Sequence, residues 1–142
     1  MKNRKRILVT LIACLLLMTT FLPWASAEII FLPQSSVLIF NYYVNISTSG
    51  GGKIDTTALI ECEQSVDSLG FSYIRLQELR NGTWTTVKSV TSKYAYNASR
   101  YMYTFTYYGT PGVSYRAQAG FYAADSGITE TRTDTSDVKT CY

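Results

Sequence analysis

Apolar and polar side chains alternate with a period of two through most of this chain, and clusters of Gly, Asn and Ser break the alternation at short intervals. A period of two sends successive side chains to opposite faces of a strand, whereas a helix needs a period of 3.6. No convincing helical pattern occurs, so the chain is expected to be all-β. In "SRYMYTFTYY", Tyr101, Tyr103, Phe105 and Tyr107 share one face, and Met102, Thr104, Thr106 and Tyr108 share the other. In "SYRAQAGFYAA", Tyr115, Ala117, Ala119 and Phe121 lie opposite Arg116, Gln118, Gly120 and Tyr122. Small alanines on one strand receive large rings from a facing strand, which is how a dense interior is filled.

The remaining segments follow the same grammar. After the apolar lead "EIIFLPQ", the β-forming run "SVLIFNYYVNIS" predicts a buried strand, and "TSGGGK" turns the chain. "IDTTALIECEQ" places Ile54, Thr56, Ala58, Ile60 and Cys62 inward and Asp55, Thr57, Glu61 and Glu63 outward. "GFSYIRLQELRNGTWTTVKSV" reads as a hairpin turning at Asn81-Gly82, with Ile74 and Leu76 in the core and Arg75 and Gln77 outward. Trp84, Val87 and Val90 are spaced by three, which points to a bulged or edge strand. The threonine-rich "ITETRTDTSDVKTCY" closes the series and bends near Thr135 to Asp137. Seven strand-like segments in one small domain predict a two-sheet, antiparallel, immunoglobulin-like sandwich.

The N-terminus reads as a secretory signal over residues 1–27. "MKNRKR" is basic, "ILVTLIACLLLMTTFL" is apolar, and Ala25 and Ala27 provide a small-residue cleavage site. An uncleaved anchor is the alternative, against which stand Thr10, Thr19 and Thr20 within the run. "LIAC" loosely resembles a lipobox, but the apolar "LLLMTTFLPW" after Cys14 assigns that cysteine to the hydrophobic segment. The dense basic start and leucine-rich core look like a Gram-positive bacterial export signal. On this reading a single domain, residues 28–142, is secreted. The whole chain has 13 Lys+Arg against 10 Asp+Glu; without Lys2, Arg4, Lys5 and Arg6 the count is 9 against 10, or −1. A near-neutral domain without a basic cluster has no electrostatic footprint for nucleic acid or for a membrane surface.

Cys62 and Cys141 remain in that domain, and an even pair in an exported chain predicts a disulfide. If every strand simply reverses direction, however, the two cysteines end at opposite poles, beyond the roughly 7 Å that a disulfide spans between Cα atoms. Pairing then requires the tail to fold back at "TDTSD" or one connection to cross over; two free or intermolecularly paired thiols are the alternative. Asn45, Asn81 and Asn97 head N-x-S/T sequons, read here as turn asparagines.

"PGVSYRAQAGFYAADSG", Pro111 to Gly127, resembles part of a fibronectin type III domain: a Pro-Gly, a tyrosine shortly after, an alternating strand and a glycine-bearing turn. The resemblance implies that Tyr115 is the corner tyrosine. The early-strand tryptophan of that family is missing, and Trp84 sits in the "NGTW" hairpin instead. "LQELRNGTWTTV" after a strand is similar to small single-domain secreted proteins of Gram-positive bacteria of unknown function, over roughly residues 44 to 140. This implies a fold and no activity.

The chemistry is defined by what is missing. There is no histidine, which removes Ser-His-Asp and Cys-His systems and the commonest zinc ligand. Glu61 and Glu63 point the same way but lack the apolar surroundings that would raise one pKa for glycosidase work. Asp134 to Asp137, "DTSD", lacks a full calcium ligand set, and "SGGGK" lacks P-loop spacing. No catalytic residue, metal or cofactor is expected. Aromatic side chains are left, since tyrosine and tryptophan stack on sugar rings or anchor a protein partner. Trp84, Tyr108 and Tyr122 are the candidate ligand-binding residues, with Tyr94 and Tyr96 also unassigned to the core. The expectation is a secreted, non-enzymatic module binding an extracellular protein or a cell-wall polysaccharide; a small exported antagonistic protein, bacteriocin- or toxin-like, is the alternative.

Overall fold

The structure is a computed structural model and describes residues 38–142. The signal-peptide reading of residues 1–27 and the "EIIFLPQ" lead lie outside the described residues. Among the described residues six strands form one antiparallel sheet: β1 (Ile39–Ser49), β2 (Lys53–Arg80), β3 (Thr83–Tyr108), β4 (Ser114–Asp125), β5 (Ile128–Thr135) and β6 (Lys139–Thr140). Six replace the expected seven because two predicted breaks do not reverse the chain. "IDTTALIECEQ" and "GFSYIRLQELR" are both parts of β2, and "NGTWTTVKSV" and "SRYMYTFTYY" are both parts of β3. Conversely, the last predicted strand divides into β5 and β6 around the expected bend after Thr135.

The β2–β3 hairpin organises everything else. Its turn is Asn81-Gly82, with φ of 48° and 78°, the pair of positive values that a two-residue hairpin turn requires. Pairing runs from Arg80↔Thr83 to Lys53↔Tyr108 and is offset most where Cys62 to Ser65 on β2 face only Ser99 on β3. Unequal lengths force a bend, and the hairpin folds there. A second, smaller offset leaves Val87 unopposed between Thr86 and Lys88, which is the bulge that the spacing of Trp84, Val87 and Val90 predicts.

Along its other edge β2 pairs first with β1, from Ser49↔Lys53 to Ile39↔Cys62, and then with β4, from Ser68↔Ala124 to Glu78↔Tyr115. The inward faces of the two halves meet in the core. Phe71 packs on Tyr101 at 5.5 Å between ring centroids and on Phe121 at 5.7 Å, while Tyr42 reaches Phe121 at 5.1 Å. Lys88 extends from one half of β3 to the other, donating to the Thr106 carbonyl at 2.8 Å. The predicted inward residues Ile54, Thr56, Ala58, Ile60, Ile74, Leu76, Ala117, Ala119 and Phe121 are all buried. Each fully buried Ile, Leu or Phe contributes about 1.5–3 kcal/mol relative to exposure.

Two local devices complete the fold. Among the described residues no strand pairs with β1 along its outer edge; there Glu130 Oε2 accepts from the amides of Leu38 at 2.6 Å and Ile39 at 3.0 Å, and Asp134 Oδ2 accepts from Val44 at 2.9 Å. The Tyr115 hydroxyl, wholly buried, accepts from the Thr110 amide at 2.9 Å and donates to Glu78 Oε2 at 3.3 Å.

The expected disulfide is absent. Cys62 and Cys141 are free and buried. Cys62 stands opposite Ile39, whereas Cys141 is hydrogen-bonded to Val113 and Gly112, next to Tyr142, whose carbonyl accepts from Gly52. The ten residues of extended chain between Gly52 and Cys62 put the two thiols at opposite ends of the fold, roughly 30 Å apart and far beyond disulfide reach. The tail does not fold back at Thr135 to Asp137 but continues along β4, and so ends at the pole away from Cys62.

Candidate functional site

The outward face of the half built on β4 and the second part of β2 gathers most of the unassigned aromatic side chains. Register places Tyr73, Arg75, Gln77 and Leu79 of β2 on this face, between Trp84, Thr86, Tyr94 and Tyr96 of β3 and Arg116, Gln118, Gly120 and Tyr122 of β4. Thr129, Thr131, Thr133 and Thr135 of β5 extend it. No Asp or Glu falls among these positions.

At one end, Gly70 of β2 lies between Tyr94 and Tyr122 in register. Those two rings meet edge to face at 5.6 Å, a preferred aromatic geometry. With Ser68 and Tyr96 they line a shallow depression of about 320 Å³. A Cβ at Gly70 would lie 2.0 Å from the Lys93 carbonyl oxygen, so the close approach of β3 to β2 at this point requires glycine. In the middle, the Tyr73 ring covers Gly120, where an added Cβ would sit 2.6 Å from Tyr73 Cε1. The Arg75 guanidinium lies over the same ring, 4.4 Å from its centroid. At the other end, Arg116 lies 4.4 Å over Trp84 and donates from Nε to Gln77 Oε1 at 2.9 Å. Each exposed cation–π contact stabilises by about 0.5–1 kcal/mol. The face is thus a row of rings and guanidinium groups held in place by their neighbours.

Of the three residues singled out from sequence, Trp84 and Tyr122 belong to this face, along with Tyr94 and Tyr96. Tyr108 does not. It lies on the other half of the sheet opposite Lys53, 70% exposed. Sequence reasoning missed Tyr73, Arg75 and Arg116 as a group. Parity marked both arginines as outward, but only the β2–β4 register brings them together.

The other chemical candidates are occupied by structural work. A depression of about 440 Å³ is lined by Phe40, Glu61, Cys62, Glu63, Ser99 and Arg100, where the hairpin bends. Glu61 is held there by Arg100 at 3.3 Å and by the Asn41 side-chain amide, which donates to it at 2.8 Å. Burial pushes the Cys62 thiol above its usual value, and Glu130 and Asp125 push it further, which disfavours the nucleophilic thiolate. Asp134 of "DTSD" caps the β1 edge, and no metal-binding cluster of His, Cys, Asp and Glu occurs among the described residues. No family model, curated protein or solved structure matches the chain.

Proposed function

We propose that this protein is an extracellular, non-enzymatic binding module that holds a carbohydrate polymer on the outward face carrying Tyr73, Trp84, Tyr94, Tyr96 and Tyr122. The observation that carries the proposal is the alignment of these five aromatic side chains along one open sheet face, flanked by Gln77, Gln118 and the β5 threonines as hydrogen-bonding groups. Rings present large area at low entropic cost, and a broad, shallow face suits an extended polymer better than a small molecule, which is bound in an enclosing pocket. Export is supported by the basic, apolar and small-residue succession of residues 1–27. An immunoglobulin-like sandwich is supported by the two facing half-sheets and by Tyr115, whose hydroxyl bonds back to the backbone five residues upstream.

Retention of the purified full-length chain on insoluble cell-wall polysaccharide tests this reading. Trp84→Ala and Tyr122→Ala are each expected to weaken retention about three- to tenfold, the equivalent of losing one aromatic stacking contact. Tyr108→Ala, on the other half of the sheet, is expected to leave it unchanged. Undiminished retention of a folded Trp84→Ala, Tyr122→Ala double variant would remove this face from consideration. Retention by a wall-associated protein after the polysaccharide has been digested away would assign the face to a protein partner instead.

A further inference from the structure

We propose that the polymer is anionic, a polysaccharide bearing carboxylate or phosphate groups, and that Arg75 and Arg116 read its charge. The inference rests on the reading of this face as a carbohydrate platform and specifies the class of ligand.

Four of the described cationic side chains, Lys53, Arg80, Arg100 and Arg132, each meet a carboxylate. Arg75 and Arg116 meet none among the described residues. Arg75 stands opposite Gln118, and Arg116 stands opposite Gln77 on the same two strands. They are therefore diagonal neighbours, with backbones about 7–8 Å apart. The face carries no Asp or Glu among the described residues, so both guanidinium groups, one over Tyr73 and the other over Trp84, are left to meet an anionic ligand.

Both guanidinium groups are also constrained in orientation. Tyr73 lies under Arg75, and Trp84 lies under Arg116. Gln77 takes the Nε proton of Arg116, leaving its terminal nitrogens to donate elsewhere. A flat guanidinium fixed on a ring presents paired N–H groups at its edge, which match the oxygen spacing of a carboxylate or a phosphate. Alternating rings and guanidinium groups along the face would meet a polymer that alternates sugar faces and acidic substituents.

Polymers with matched backbones separate the outcomes. The full-length chain is titrated with carboxymethylcellulose and neutral hydroxyethylcellulose, with phosphorylated and plain dextran, and with poly-glutamate, which has charge but no sugar. At least one charged polysaccharide is expected to bind tenfold or more tightly than its neutral counterpart, with a preference that fades as salt is raised. A preference for carboxylate or for phosphate supports the proposal either way and identifies the group read. Arg75→Gln combined with Arg116→Gln is expected to abolish the preference, so that each charged polymer binds no more tightly than its neutral counterpart. Equal binding of charged and neutral polymers would overturn the anionic specificity and leave the platform reading standing, as would a preference that survives in the double variant. Poly-glutamate bound as tightly as the charged polysaccharides would overturn recognition of an acidic sugar polymer. Binding to none of the polysaccharides would overturn both readings.

Discussion

The phenol of Tyr115 joins three parts of the fold through one oxygen, accepting from Thr110 and donating to the buried carboxylate of Glu78, which in turn pairs with Arg80. Tyr115→Phe keeps the ring and its packing but leaves the Thr110 amide and Glu78 Oε2 without this partner. An expected loss of about 1–3 kcal/mol would appear as a lower urea midpoint with an unchanged slope. The alkaline limb of stability should change too. Burial raises the Tyr115 pKa above its ordinary 10.0, so the unfolded chain ionises first. Its contribution is complete below pH 10 and declines as pH rises through the folded-state value. Urea denaturation from pH 8 to 11 should show this component lost in Tyr115→Phe, while the Cys62 thiol, raised above 9.0 by burial, maintains a shallower decline. The inward position of Tyr115 was legible from parity alone. Its pairing with Glu78 was not, because the two are 37 residues apart and a carboxylate at an inward position has no local explanation.

At the scale of the element, β1 shows how an exposed edge is made safe. Unpaired amides along an edge invite another strand, and here carboxylates from β5 occupy them. Replacing Glu130 and Asp134 together with Ala should raise amide exchange at Leu38, Ile39 and Val44 by ten- to a hundredfold, since a hydrogen bond to a charged group contributes about 1.5–3 kcal/mol. Exchange in the β2–β3 ladder should stay as it was, and equal exchange at the three β1 amides would show that the carboxylates do not protect them. Glu130, Arg132 and Asp134 alternate with four threonines in the sequence, so the strand was evident and its inward charges were visible. What those charges cap lies about 90 residues earlier in the chain. The continuity of β2 and β3 was hidden for a different reason. Glycine marks both turns and close approaches, and Gly70 in "DSLGFS" serves the second purpose, while Ser92 and Asn97 adopt positive φ without reversing the chain.

For the molecule as a whole, the two thiols report directly on the topology. Alkylation of the unfolded, unreduced protein should label Cys62 and Cys141 completely, whereas the folded protein should react slowly because both are buried. Reductant should leave the thermal midpoint unchanged; a fall of several degrees would mean that a covalent link exists. Strand parity placed the core, and the Asn81-Gly82 dipeptide placed the turn, while the grouping of Tyr73, Arg75, Trp84 and Arg116 depended on register, which parity does not fix. That grouping is also tied to how the chain comes together. Starting from Asn81-Gly82, each successive β2–β3 pair closes a loop only slightly longer than the last, so the entropic cost of pairing accrues in small steps. Trp84 and Tyr73 lie within the first several rungs of that growing ladder, and Tyr94 and Tyr96 follow. β1 joins β2 through its own short turn, Gly50 to Gly52, so that pairing is equally local. By the same loop-length argument the rungs on both sides of β2 are expected to form from two short turns, whereas Arg116 and Tyr122 join the row only with β4, whose pairing with β2 closes a longer loop.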